Sequence, residues 1–192
     1  MIRIDLPVSE QAVRKLKVGD EVSLHGTIVT ARDAAHKLMV ETWPGFVDPL
    51  LRDGAIYHCG PVMSRKGDTW TAVAAGPTTS IREEPYEAAV MEHYKVRIII
   101  GKGGMGERTL AACKEVGAVY VHAVGGAAPL LADTVVCVKD VHLLDELGVP
   151  EAFWEFEVDG FPGVVTMDSE GHSLHRSIRD ETGRRRDALI GL

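Results

Sequence analysis

The sequence has little cysteine and none of it in a useful pattern. Cys59, Cys113 and Cys137 lie far apart and never in Cys-x-x-Cys spacing, which excludes a disulfide framework or a cysteine zinc site. Cys113 and Cys137 fall in apolar stretches and are expected as plain core residues, whereas Cys59 adjoins a Gly-Pro turn. Long apolar runs are missing too. None approaches the roughly 20 residues needed to span a bilayer, so no membrane association is expected. The opening MIRIDLPVSEQAVRKL lacks the apolar centre of a signal peptide, and a cytoplasmic protein is expected. Positive charge is not in excess either. The net charge of −7 argues against general nucleic-acid binding. No internal repeat, low-complexity segment or long linker interrupts the 192 residues, enough for one ordinary domain with a real core.

What is present is a change of rhythm. The first half is strand-rich: EVSLHGTIVT (21–30), AIYHCGPV (55–62) and TWTAVAAGP (69–77) carry alternation and β-branched residues between turn signals. ARDAAHKLMVET (31–42) predicts a helix, with Thr30 as N-cap and Asp33 three residues on. From about residue 86, YEAAVMEHY and ERTLAACKEVG read as helices around the buried strand VRIIIG. AVYVHAV, a short helix in GAAPLLAD, and TVVCVKD follow. This alternation predicts βαβ units and a parallel sheet. FWEFEVDG and GVVTMD read as two further strands at an edge, and residues 176–192 as a polar C-terminal tail. The fold class expected is α/β.

Three loop-to-helix turns carry a cation, and a helix N-terminus attracts anions through its unpaired N–H groups and dipole. Arg32 stands in the first turn after strand 21–30, where acidic side chains are usual. Gly76-Pro77 is followed by Thr78, Thr79 and Ser80 and then Arg82. Gly101-Lys102-Gly103-Gly104-Met105-Gly106 satisfies G-x-G-x-x-G between a strand and a helix. The acidic residue expected about 20 positions after a dinucleotide fingerprint is missing, and Lys102 comes too early for a phosphate-binding P-loop. Together the three cations suit a small dicarboxylate, with Arg as a bidentate clamp and Lys as a point charge. His36 follows Arg32 by one helical turn and shares its face, where it would orient substrate, relay a proton, or simply pack at the domain surface. His58 is open to the same readings. His172 and His175 have metal-like spacing but no third ligand in view and are expected in solvent. Arg184 to Arg186 are expected in solvent or against a partner.

TARDAAHKLM, IYHCGPV, AAGPTTSIR and IIIGKGGM, in this order and spacing, resemble the β subunit of class I fumarases and L(+)-tartrate dehydratases, and the C-terminal domain of single-chain class I enzymes. The likeness runs from about residue 5 to 175, so residues 1–175 would form one hydro-lyase domain. It implies a swivelling β/β/α fold and reversible hydration of fumarate to (S)-malate, or dehydration of tartrate to oxaloacetate. It further implies a [4Fe–4S] cluster held by a partner α subunit and not by this chain. The cluster's open iron would bind the substrate hydroxyl, in a higher oligomer of αβ pairs. Carried over by motif, Arg32, Arg82, Lys102 and Gly103 would bind substrate carboxylates and Thr78 would act as base. Two other classes stand beside this one. A nucleotide-binding oxidoreductase domain predicts NAD binding by the lone chain, and a non-catalytic carboxylate-binding module predicts binding without turnover.

Overall fold

A computed structural model describes residues 1–191. In chain order the elements are β1 (Ile2–Asp5), α1 (Glu10–Val13), β2 (Glu21–Thr30), α2 (Asp33–Thr42), α3 (Asp48–Leu51), β3 (Ala55–Tyr57), β4 (Val62–Lys66) and β5 (Thr69–Ala74). A single 3₁₀ turn (Ser80–Arg82) leads to α4 (Glu87–Tyr94), β6 (Ile98–Gly101), α5 (Glu107–Val116), β7 (Val119–His122), α6 (Ala128–Ala132), β8 (Val135–His142), α7 (Leu144–Leu147), β9 (Phe153–Met167) and α8 (Leu174–Ile190). The fold is mixed α/β, with a strand-rich first half as expected. No helix among the described residues is long and apolar enough to cross a membrane.

β1, β2, β3, β6 and β7 run parallel in that order. β9 then pairs antiparallel with both β7 and β2, so β2, β3, β6, β7 and β9 close into a ring. Alternate residues point to opposite sides of a strand. Leu24, Ile28, Tyr57, Ile98, Ile100, Val119, Val121, Trp154, Phe156 and Phe161 fill the inside of the ring. Val29, Ile56, Ile99 and Tyr120 face outward, onto a second core with Met39, Met91 and Cys113. Strands covered on both faces read as unbroken apolar runs, which is why IIIG is so plain in the sequence.

Several expectations are corrected. FWEFEVDG and GVVTMD are one strand, β9, and it lies inside the sheet. Its first half pairs with β8, its middle with β2 and its last residues with β7. Gly160, at φ +80°, is the extra residue of a bulge between the Leu24–Phe161 and His25–Asp159 pairs. The turn-like Gly160 to Gly163 therefore bends the strand without ending it. β8 pairs with β9 and not with β7, so within the alternation read from residue 86 only β6-α5-β7 is a parallel βαβ unit. That leaves β8 at the edge, with Cys137 exposed rather than in the core. Cys113 and Cys59 are buried. Thr30 does not cap α2. It is the last residue of β2, and its hydroxyl donates to the Ala152 carbonyl (3.2 Å) and accepts from the Trp154 N–H (3.1 Å). Arg32 occupies the N-cap position without a side-chain capping bond.

Candidate active site

Parallel strands end together, and ligands of such sheets gather outside their carboxyl ends. Here that rim runs through Thr30, Tyr57, Ile100 and His122, the last residues or nearly so of β2, β3, β6 and β7. The next residues leave it as Arg32, His58 and Lys102. The segment from Pro77 to Ser80 is laid across the rim between two of these exits. Pro77 bridges to Cys59, and the Thr78 N–H donates to the His58 carbonyl at 2.7 Å. Thr79 bridges to Lys102, and the Ser80 N–H donates to the Lys102 carbonyl at 3.0 Å. Thr78 and Lys102 are thus tied to one short stretch of backbone. Thr78 and Lys102 are half-buried and Gly103 is exposed.

Arg32 and Arg82 meet at Asp33. Arg82 donates to Asp33 Oδ2, and Arg32 Nη2 lies 3.6 Å from the same oxygen. Arg32 Nε is 3.5 Å from Glu151 Oε1, with no hydrogen-bond partner of its own although it is buried. Its side chain lies against Gly60, where an added Cβ would come within 2.8 Å of Arg32 Cδ and 2.9 Å of the Pro150 carbonyl. A buried N–H donor without an acceptor is costly.

The glycine loop holds an anion, and the anion is internal. The Glu84 carboxylate accepts the N–H groups of Gly106 (2.7 Å), Arg108 (3.0 Å) and Thr109 (3.3 Å), and the Thr109 hydroxyl (2.7 Å). The N-terminus of α5 is therefore occupied by a tethered carboxylate. In the same way the Ala34 N–H at the start of α2 donates to Glu151 Oε2 at 3.0 Å. Both helix starts hold internal carboxylates, and the side chains of Arg32, Arg82 and Lys102 stand at the rim.

Beneath the rim lies a fully buried polar group that the sequence does not reveal as a unit: His36, His58, Ser80, Glu83 and Glu87 are all closed to solvent, and Tyr120 joins them. His36 is therefore not at the domain surface. Both of its ring nitrogens are bonded to protein, to the Arg32 carbonyl and to Glu87, each at 3.0 Å. The only hint in the sequence is the acidic pair Glu83-Glu84 followed by Glu87, which reads as ordinary helix-start charge. His175 is a correction too. It packs on Tyr120 and His122 and bonds the Thr166 hydroxyl at 3.1 Å, whereas His172 is exposed. His122 stands on the rim itself, its Nδ1 3.4 Å from the Gly103 N–H.

Glu83 is unusual in that neither carboxylate oxygen has a hydrogen-bond partner. Burial pushes its carboxyl up from 4.5 to about 7, with Asp33 and Glu87 adding to the rise and His36 and Arg82 opposing it. A raised folded value means the native state holds its proton more tightly. Stability tied to that proton is complete below pH 4.5 and is lost as pH rises through 7. Glu83→Gln, which mimics the protonated form, is expected to gain on the wild type as pH rises from 5 to 8. Thermal melts across that range check this, and parallel curves for the two proteins would refute it.

A family model described as the fumarase C-terminus matches residues 1–178. The chain belongs to that family. It is 50% identical over 179 residues, 93% of its own length, to a putative fumarate hydratase class I of Geobacillus stearothermophilus. It spans only 34% of that relative. It is 43% identical over 188 residues to a putative L(+)-tartrate dehydratase subunit beta of Methanocaldococcus jannaschii, covering 96% of each chain. With the L(+)-tartrate dehydratase subunit beta of Escherichia coli K12 the identity is 36%, covering 96% of this chain and 91% of the other. Two of these family members are thus named as one subunit of a larger assembly, and in the third the same domain is part of a longer chain.

Proposed function

We propose that this chain is the β subunit of a two-chain iron–sulfur hydro-lyase that interconverts fumarate and (S)-malate. The observation that carries the reading is the meeting of Arg32 and Arg82 at one carboxylate on the strand rim, with Thr78 and Lys102 joined through residues 77–80, in a member of the fumarase C-terminus family. In the direction of dehydration, a proton leaves the carbon beside one carboxylate and hydroxide leaves its neighbour. Charge builds on the carboxylate next to the first carbon, and fixed cations lower the barrier where it develops. Arg32 and Arg82 would hold one carboxylate, Lys102 and the Gly103 backbone the other. Thr78 would take the proton. A threonine hydroxyl is a poor base, and it works only where cations surround it and water is excluded. Thr78 is half-buried in this chain, so a covering partner is part of the proposal.

The [4Fe–4S] cluster belongs to that partner. The thiols of this chain do not fit a cluster site. Cys59 lies in the core inside the ring, Cys113 in the core outside it, and Cys137 is exposed on β8. The swivelling β/β/α description is supported by the strand ring with its helices against the outer core. Three free cysteines suit a reducing cytoplasm, and a higher oligomer of αβ pairs completes the proposal.

The alternative substrate is L(+)-tartrate, favoured by the names of the archaeal and E. coli relatives. Nucleotide binding is disfavoured because Glu84 already fills the α5 N-terminus. The deciding test is turnover by this chain with its α partner, reconstituted anaerobically, on malate and on tartrate, with Thr78→Ala as control. Malate turnover lost in the variant supports the reading. Turnover of tartrate alone transfers it to the dehydratase, and binding without turnover of either acid leaves only a carboxylate-binding module.

A further inference from the structure

The buried group beneath the rim has a direction. The Tyr120 hydroxyl donates to Ser80 Oγ at 2.9 Å, which frees the Ser80 proton for His58 Nδ1, also at 2.9 Å. His58 then carries its single proton on Nε2, aimed at Glu87 Oε2 at 2.8 Å. The same oxygen receives His36 Nε2 at 3.0 Å. A backbone carbonyl has no proton to give, so His36 Nδ1 must donate to the Arg32 carbonyl, 3.0 Å away. An acceptor-only carboxylate satisfies both imidazoles if His36 is protonated at both nitrogens and His58 at one.

We propose that Glu87 is a positioning residue, a permanently ionised carboxylate that holds His36 as an imidazolium and His58 as a neutral donor, and thereby fixes the backbone that carries Arg32, Thr78 and Lys102. The links to that backbone are direct. His36 holds the Arg32 carbonyl, His58 holds Thr78 through its own carbonyl, and Ser80 holds Lys102 through its N–H. One carboxylate from α4 so joins the exits of β2, β3 and β6. The role rests on the reading of these residues as an anion site, but its test does not depend on turnover.

The charges around the cluster agree with the assignment. Burial raises the Glu87 carboxyl, yet the two imidazoles, His58 foremost and each donating a hydrogen bond, outweigh it and bring the value to about 2. For His36, burial lowers the value, but Glu87 and then Glu83 more than restore it, and it ends raised. For His58 burial wins over Glu87, and the value ends lowered. The other groups facing the cluster are Asp33 from α2, Glu83 and Arg82 from the 3₁₀ turn and its end, Cys113 from α5 and Tyr120 from β7. His36, His58 and Glu87 also have the composition of a divalent-metal site. Contacts of 2.8 and 3.0 Å onto one oxygen are hydrogen-bond lengths, and the structure assigns protons to them.

The experiment is histidine nitrogen NMR and amide hydrogen exchange on the full chain, with Glu87→Gln beside the wild type. The wild type is expected to show His36 protonated at both nitrogens, and His58 at Nε2 only, up to pH 8. In Glu87→Gln, His36 becomes neutral, and the amides of Thr78, Ser80 and His36 exchange at least about tenfold faster while the β4–β5 hairpin is unchanged. A neutral wild-type His36 at pH 7, a stoichiometric divalent metal bound to both histidines, or an equal rise in exchange throughout the chain would each overturn the proposal. If Glu87→Gln does not fold, the wild-type spectrum decides the proton assignment. Ser80→Ala, which cuts the chain at its other end, then takes the place of Glu87→Gln in the exchange experiment.

Discussion

Arg32→Met in the assembled enzyme is expected to lower kcat/KM by roughly 10²- to 10³-fold, the loss typical of removing one preorganised donor from developing charge. The reason lies in how the side chain is held. Its ion pairs with Asp33 and Glu151 are long, at 3.6 and 3.5 Å, and its buried Nε is left over. Such contacts orient a guanidinium without saturating it. Arg32→Lys is expected to restore little, because a point charge cannot reproduce a two-point grip on a carboxylate. The melting temperature should hardly move, since two long ion pairs contribute little to stability. Steady-state kinetics on both variants with the α partner check the prediction, and a loss under tenfold would remove Arg32 from the site.

The largest expected effect on stability is at Gly101→Ala. A Cβ there would sit inside the Ser80 hydroxyl and 3.1 Å from both His58 Nδ1 and the Tyr120 hydroxyl oxygen. Ser80 cannot retreat, because its N–H is bound to Lys102 and its oxygen to two neighbours. The variant must shift a strand of the ring or break buried hydrogen bonds. Overpacking costs about 1–3 kcal/mol and each orphaned buried polar group about as much again. At a few degrees per kcal/mol for a chain of this size, a fall in melting temperature on the order of 10 °C is expected. Gly45→Ala, where an added Cβ meets nothing within 4 Å, is the control. Equal melting curves for the two variants would show that the Ser80 hydroxyl does not lie against Gly101.

The glycine at position 101 also shows what a sequence can and cannot tell. Its strand is plain because Ile98, Ile99 and Ile100 are covered on both faces. The rim residues Arg32, Arg82 and Lys102 stand out as cations on loop-to-helix turns of a net acidic chain. What stayed hidden depends on partners far along the chain. The carboxylate that fills the glycine loop is Glu84, and nothing local to either segment says that one folds onto the other. Thr30 looks like a cap until Ala152 and Trp154 take its hydroxyl. Gly160 to Gly163 look like a turn until β2 is laid beside them and the extra residue becomes a bulge. Three neighbouring glutamates have three fates. Glu83 is buried without partners, Glu84 caps a helix, and Glu87 joins two histidines.

The strand ring also constrains how the protein is made. β2 finds the last of its three neighbours only when β9 appears, since Val29 pairs with Glu155 and Glu21 with Val164. At ribosomal speeds of about 5–20 residues per second, β2 waits roughly 6–25 s for that partner. During the wait Leu24 and Ile28 lack the wall that Phe156 and Phe161 later provide, and an open strand edge invites pairing with other chains. Chain closure at such separation is slow. The nascent chain is therefore most exposed to misassembly just before its last strand arrives, and the site at the rim becomes rigid only after that.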